Sequence, residues 1–158
     1  MLQCIVDTPL GNAKIQRTDR GIASIKIIDT QEDISDKIPS ALQDCVNQLN
    51  EYFGNKRKIF ELTLNPKGTP FQMKVWQHLQ TIPFGNTISY LELSHNIGDK
   101  KAVRAVASAN AKNPLWIVIP CHRIIGSDGS LRGYAGGLRR KTWLLNHEGV
   151  IQQQSLFL

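Results

Sequence analysis

The first 64 residues change their hydrophobic period once, and that change limits the fold more than any other feature. Up to residue 28, apolar side chains recur at every second position. QCIVDTP, NAKIQRT and GIASIKII are short alternating runs, and the turn signal PLGN separates the first two. A period of two lines one face of a strand, so these runs predict a short antiparallel sheet. From residue 38 the period lengthens. In IPSALQDCVNQLNEYF, the residues Ile38, Leu42, Cys45, Leu49 and Phe53 share one helical face. Pro39 suits the first turn of this helix and Gly54 its stop. A sheet plus one helix predicts an α/β supporting domain over residues 1–64. It holds no catalytic constellation.

Residues 65–158 read differently, as a mainly α domain. Thr69-Pro70-Phe71-Gln72 has capping-box spacing, with Pro at the first helical position. The helix it opens carries a core stripe of Phe71, Val75, Leu79 and Ile82 and stops at Pro83. Two further helices are predicted at about 87–96 and 100–111, around a turn holding Asn96 and Gly98. Their lengths fit a helix-turn-helix. In the second, Val103, Val106 and Asn110 face one way and Arg104, Ala105, Ser108 and Ala111 the other. Small side chains around one Arg let a helix backbone lie close to a groove floor. LWIVI, residues 115–119, is predicted as a buried extended run. A last helix, in GLRRKTWLLNHEG, ends at Gly149.

Charge divides along the same line. Residues 65–158 carry eleven Lys and Arg against four Asp and Glu, a net of +7; residues 1–64 have a net of −1. A basic half points to a polyanionic partner, most simply nucleic acid. No apolar run approaches the roughly 20 residues of a membrane helix. The N-terminus lacks the basic head and apolar segment of a signal peptide, so the cytoplasm is the expected compartment. The three cysteines, Cys4, Cys45 and Cys121, are far apart and lack zinc spacing. Cys4 and Cys45 are expected as small buried hydrophobes. No metal or other cofactor is expected.

Cys121 stands apart. It lies in IPCHRIIGSDGSLRGYAGG, followed at once by His122 and Arg123. A thiol becomes a nucleophile when a base, a cation or a helix N-terminus favours its thiolate. Sequence neighbours point apart, so His122 would reach the thiol through a water. A base needs an orienting group, and Glu148 at the end of the last helix is the candidate. A carboxylate there opposes the helix dipole and calls for a compensating partner. A solvated Glu148 is the alternative. Five glycines between residues 126 and 137 permit tight turns or close approach of backbone to a ligand, and Tyr134 among them could pack a planar base. A plain surface hairpin would satisfy the same residues.

The run PCHR, residues 120–123, resembles the active-site signature of the O6-alkylguanine-DNA alkyltransferases, also called methylated-DNA–protein-cysteine methyltransferases. GTPFQMKVWQHLQTIPFGNTISY, VRAVASANAKNPLWIVIPCHRIIGSDGSLRGYAGGL and KTWLLNHEG all look like this family, in order and at family spacing. The match covers nearly all of residues 68–149. DTPLG and QLNEYFGNKRKIFEL are similar more loosely.

The resemblance implies single-turnover repair of O6-alkylguanine, with O4-alkylthymine a further substrate, in duplex DNA. Cys121 would accept the alkyl group irreversibly. His122 would act as base through a water, oriented by Glu148, and Tyr90 would give a hydrogen bond or proton to a guanine ring nitrogen. Arg104 would fill the gap left by the flipped nucleotide. Ala105 and Ser108 would lie against DNA with it, in the minor groove, and Arg123 is assigned to the same DNA-contacting set. Asn113 would tie the recognition helix to the Cys segment. Tyr134, Ala135 and Gly136 would line the guanine pocket. Trp116 stands where Pro or a small residue is expected; facing the pocket, it would narrow the range of alkyl groups. The protein is expected to act as a monomer. Two other readings stay open: a helix-turn-helix module that binds damaged DNA without reacting, and a cysteine hydrolase. An intact Cys121 disfavours the first and its adjacency to His122 the second.

Overall fold

The computed structural model describes residues 1–131, 134 and 136–150. The chain forms two compact units. The first comprises residues 1–67 together with Pro114–Trp116; the second comprises residues 68–113 and those from Ile117 onward. Three residues of the second half therefore belong to the first unit, where a single cut at 64/65 was expected.

In the first unit β1 (Leu2–Thr8), β2 (Gly11–Thr18) and β3 (Gly21–Ile28) form an antiparallel sheet in that order. Cys4 pairs with Ile15, which pairs in turn with Ile25, and all three are buried. Helix α1 (Ser40–Phe53) packs against β1 and buries Leu42, Cys45, Leu49 and Tyr52. The edge of β3 is covered by other backbone, which removes a row of open hydrogen-bonding groups. Ile22 N–H donates to the Thr63 carbonyl at 2.9 Å, and Asn65 N–H to Ile22 at 2.7 Å. A Cβ on Gly21 would lie 2.6 Å from the Thr63 oxygen, so this pairing requires glycine. Farther along, Ile25 N–H donates to Pro114 and Trp116 N–H to Ile25.

The predicted extended run at 115–119 is buried but does not form a strand. Its chain turns at Ile117, where φ is +70°. That conformation is costly for a β-branched side chain, and it falls at the crossing from one unit to the other.

The second unit opens with α2 (Pro70–Leu79). Its capping box is formed as predicted: Thr69 accepts from Gln72 N–H while the Gln72 side chain accepts from Thr69 N–H. Trp76 is buried, and its indole N–H donates to the Ala109 carbonyl at 2.9 Å, tying α2 to α4 (Val103–Ala111). Strand β4 (Ile88–Ser89) pairs in parallel with β5 (Ile124–Ile125). Helix α3 (Tyr90–Ile97) therefore starts three residues later than predicted, because the preceding residues are extended in this ladder. Ser89 caps α3, and Gly98 ends it at φ +100°. A short 3₁₀ turn at Lys100–Ala102 leads into α4. Helix α5 (Leu138–His147) buries Lys141, Leu144 and Leu145. Among the described residues no helix is long and apolar enough to cross a membrane.

Candidate active site

Pro120 leads into a single 3₁₀ turn, Cys121–Arg123, and all three of its side chains are buried. His122 is 0% exposed and Cys121 5%. The turn is anchored from α4 and the residues just after it: Asn113 Nδ2 donates to the Ile119 carbonyl at 2.7 Å, and Asn110 Nδ2 reaches the Cys121 carbonyl at 3.4 Å. The expected tie from the second helix to the Cys segment is thus present as a hydrogen bond.

Glu148 caps the C-terminal end of α5 and is wholly enclosed. Four donor atoms of described residues reach its carboxylate. His122 Nε2 lies 2.7 Å from Oε2. Arg123 donates from Nε to Oε1 at 2.8 Å and from Nη2 to Oε2 at 3.0 Å. Gly85 N–H adds a longer contact at 3.3 Å. Burial works to raise the Glu148 pKa, but His122 and Arg123 outweigh it and hold the carboxyl far below its usual range. Burial lowers the His122 pKa, against the pull of Glu148. The pair is an ionised carboxylate and a neutral imidazole. Since a carboxylate only accepts, the imidazole hydrogen sits on Nε2 and Nδ1 carries the lone pair. Nδ1 has no hydrogen-bond partner among the described residues. Its lone pair is able to take a proton.

Burial raises the pKa of all three cysteines, Cys45 to about 12. Only Cys121 has neighbours that oppose the effect. The Asn113 amide, the Lys141 charge and the Tyr134 hydroxyl each favour its thiolate. At rest the thiol stays protonated, because burial prevails. Tyr90, half-buried at the start of α3, has its pKa raised by burial and next by Cys121. Tyr134 is buried, and a Cβ on Gly136 would fall 2.8 Å from its ring, so the ring occupies space only a glycine leaves open. Ala135 lies outside the described residues. Arg104, Ala105 and Ser108 are exposed together on α4, opposite buried Val106 and Asn110.

One expected placement is corrected. Arg123 is not a DNA contact: it is 6% exposed, and its guanidinium is spent on Glu148 and on the Ile82 carbonyl, 2.6 Å from Nη1. Trp116 belongs to the first unit, where its buried ring packs on Phe53 with centroids 6.1 Å apart.

One buried side chain beside these residues was not singled out in the sequence. Lys141 is fully buried, donates to the Ile124 carbonyl and stands 5.9 Å from the centroid of the Tyr90 ring. Burial lowers its pKa to about 8, against the influence of Cys121. The signal was available: Lys141 sits on the apolar stripe with Leu144, Leu145 and Glu148, where a lysine has to find internal partners. Among the described residues no three His, Cys, Asp or Glu cluster as a metal site.

Two family models match the chain. Residues 1–66 match the 6-O-methylguanine DNA methyltransferase, ribonuclease-like domain, and residues 70–150 match the 6-O-methylguanine DNA methyltransferase, DNA binding domain. The chain belongs to the 6-O-methylguanine DNA methyltransferase family. It is 42% identical to the methylated-DNA–protein-cysteine methyltransferase of Mycolicibacterium paratuberculosis over 157 residues, covering 97% of this chain and 95% of that one. It is also 42% identical to the constitutive methylated-DNA–protein-cysteine methyltransferase of Bacillus subtilis, over 91% of this chain and 93% of the relative. Among solved structures of this family, that of Mycobacterium tuberculosis OGT in complex with DNA superposes with a TM-score of 0.83. The two are 38% identical, and the match spans 91% of this chain and 90% of the other. The N-terminal sheet with one helix, followed by a mainly helical second unit, is the fold these relatives share.

Proposed function

We propose that this protein repairs DNA by taking the alkyl group of O6-alkylguanine onto Cys121, once per molecule. The observation that carries the reading is the buried His122–Glu148 pair in the same 3₁₀ turn as Cys121, with an imidazole Nδ1 that has no partner among the described residues. Glu148 holds the Nε2–H, so Nδ1 accepts the thiol proton, through a water, as the sulfur is committed to attack. Lys141 and Asn113 favour the thiolate as it forms. The sulfur bonds to the alkyl carbon as the carbon–oxygen bond breaks, and the bonding pair passes into the guanine ring. Tyr90 supplies a proton to a ring nitrogen. The products are guanine, a phenolate that recovers its proton from the imidazolium or from solvent, and a thioether on Cys121. No group in the relay can reverse a thioether, so the reaction ends there.

DNA is the macromolecular partner. The exposed face of Arg104, Ala105 and Ser108 on α4 supports docking through a helix-turn-helix in the minor groove. Chemistry on a base requires the base out of the stack. Arg104 would fill the space it leaves, and small neighbours would let the helix approach. The +7 charge of the second half supplies affinity that does not depend on sequence. The protein acts as a monomer in the cytoplasm.

The test is the intact mass after mixing with a short duplex containing one O6-methylguanine. The expected result is a single gain of about 14 Da mapped to Cys121, with no gain in Cys121→Ala. A folded protein that binds the lesion and keeps its mass would instead be a damage-binding module.

A further inference from the structure

Among the described residues only two other than glycine have a positive φ, Asn55 and Ile117. Asparagine takes the left-handed region readily, whereas a β-branched residue there is an outlier. Strain of this kind persists only where the surroundings over-determine it, and it collects at functional sites. Ile117, at φ +70°, lies four residues before the nucleophile and is held from several sides. Its side chain is 1% exposed. Just before it, Trp116 N–H donates to the Ile25 carbonyl at 3.0 Å. Just after it, the Ile119 carbonyl accepts from Asn113 Nδ2 at 2.7 Å and from Cys121 N–H at 2.8 Å. The second of these bonds spans Pro120, whose φ of −82° and ψ of 64° make an inverse γ-turn. The first closes residues 113–119 into a loop. Six residues of extended chain would put its ends roughly 20 Å apart. The loop closes because the chain reverses, and it does so at the left-handed residue.

We infer that Ile117 is a positioning residue for the nucleophile: its left-handed backbone closes the 113–119 loop onto Asn113 and so fixes where the Cys121 turn begins, and its buried side chain keeps that unfavourable conformation in place. The inference rests on Cys121 as the alkyl acceptor. Side chain and backbone oppose one another at this position, and substitution separates them. An alanine keeps the strain of a positive φ and loses the anchor, so the turn relaxes and the thiol shifts with it. A glycine loses the anchor and the strain together, so the turn stays. A displacement of about 1 Å at a reacting atom is enough to cost about a hundredfold in rate.

The test compares the unmodified full chain with Ile117→Gly and Ile117→Ala. Single-turnover transfer from an O6-methylguanine duplex is measured at saturating DNA and expressed per folded molecule, with melting curves and duplex affinity alongside. Both variants should melt below the unmodified protein, having lost a buried side chain. Glycine should melt about 2–4 °C above alanine, the reverse of their order at an ordinary position. Alanine should transfer about tenfold more slowly than glycine, and glycine within about threefold of the unmodified protein. Duplex affinity should be the same in all three. Equal rates for glycine and alanine overturn the inference even where their melting points differ, because a residue that only stabilises the fold leaves the rate per folded molecule alone. Glycine slower than alanine overturns it too. If the unmodified protein itself gains no alkyl group, the acceptor reading fails, and the inference with it.

Should the two small variants not fold, Ile117→Leu and Ile117→Val replace them. Leucine keeps the volume and eases the strain, since it is not branched at Cβ; valine keeps the strain and trims the anchor. Leucine should then be the faster of the two per folded molecule, and equal or reversed rates overturn the inference.

Discussion

Arg123→Met separates a buried structural cation from a DNA contact. Methionine keeps most of the apolar stem and removes the guanidinium. Three hydrogen bonds disappear: those of 2.8 and 3.0 Å to Glu148, and that of 2.6 Å to the Ile82 carbonyl. Of the contacts described above, Glu148 then keeps those to His122 and the Gly85 N–H. Breaking a buried ion pair from one side costs roughly 3–5 kcal/mol, because the remaining charge stays desolvated. At this chain length each kcal/mol moves Tm by about 2–4 °C, so the expected drop is about 6–20 °C. Transfer should slow as well, since a Glu148 that gains a proton no longer fixes the imidazole hydrogen on Nε2. DNA affinity below the new Tm should keep its salt dependence. Thermal melts and duplex titrations over a range of salt check both parts. A phosphate-contacting arginine would behave in the opposite way: Tm would hold, and the slope of log affinity against log salt would fall in magnitude by about one contact. That pattern would refute the buried-pair argument.

Two further predictions follow from the same geometry. Arg104→Ala, on an exposed face, should leave Tm within about 1 °C, yet slow transfer from duplex DNA far more than from the free alkylated base; equal losses would exclude a role inside the helix. Stability should fall with acid in two stages. The His122 pKa is below its ordinary 6.5 and that of Glu148 below its ordinary 4.5, so the unfolded chain binds more protons than the folded one once pH drops under those values. Both contributions are fully present above about pH 6.5. The first is lost below that, and the second below the carboxylate range. Urea midpoints that stay flat from pH 8 to pH 4 would contradict a neutral His122 beside an ionised Glu148.

Local signals in this chain were legible where one short segment decides the outcome. The three alternating runs became β1 to β3, and the stripe from Leu42 to Leu49 became the buried face of α1. Thr69 and Gln72 formed their capping box, since its geometry involves only four consecutive residues. The two faces of α4 followed from a period of 3.6. The sequence also marked Cys121 as the unusual thiol and Glu148 as a carboxylate in need of a partner, because adjacency and helix position are local facts. It started α3 three residues too early, since the distant partner Ile124–Ile125 keeps Ile88 and Ser89 extended.

The tertiary structure decided everything that depends on who meets whom. Arg123 looked like one more cation of a basic half, and folding turned it inward onto a carboxylate 25 positions away. The direction Trp116 faces was open in the sequence, and the backbone pairing of Pro114 and Trp116 with Ile25 groups it with the first unit. Lys141 carried a charge on an apolar stripe, and only packing showed its neighbours to be Tyr90, Cys121 and the Ile124 carbonyl. The physical reason is the same each time. Propensity and period act over a few residues, whereas the protonation state of a buried group is set by desolvation and by partners that the chain brings from far along its length.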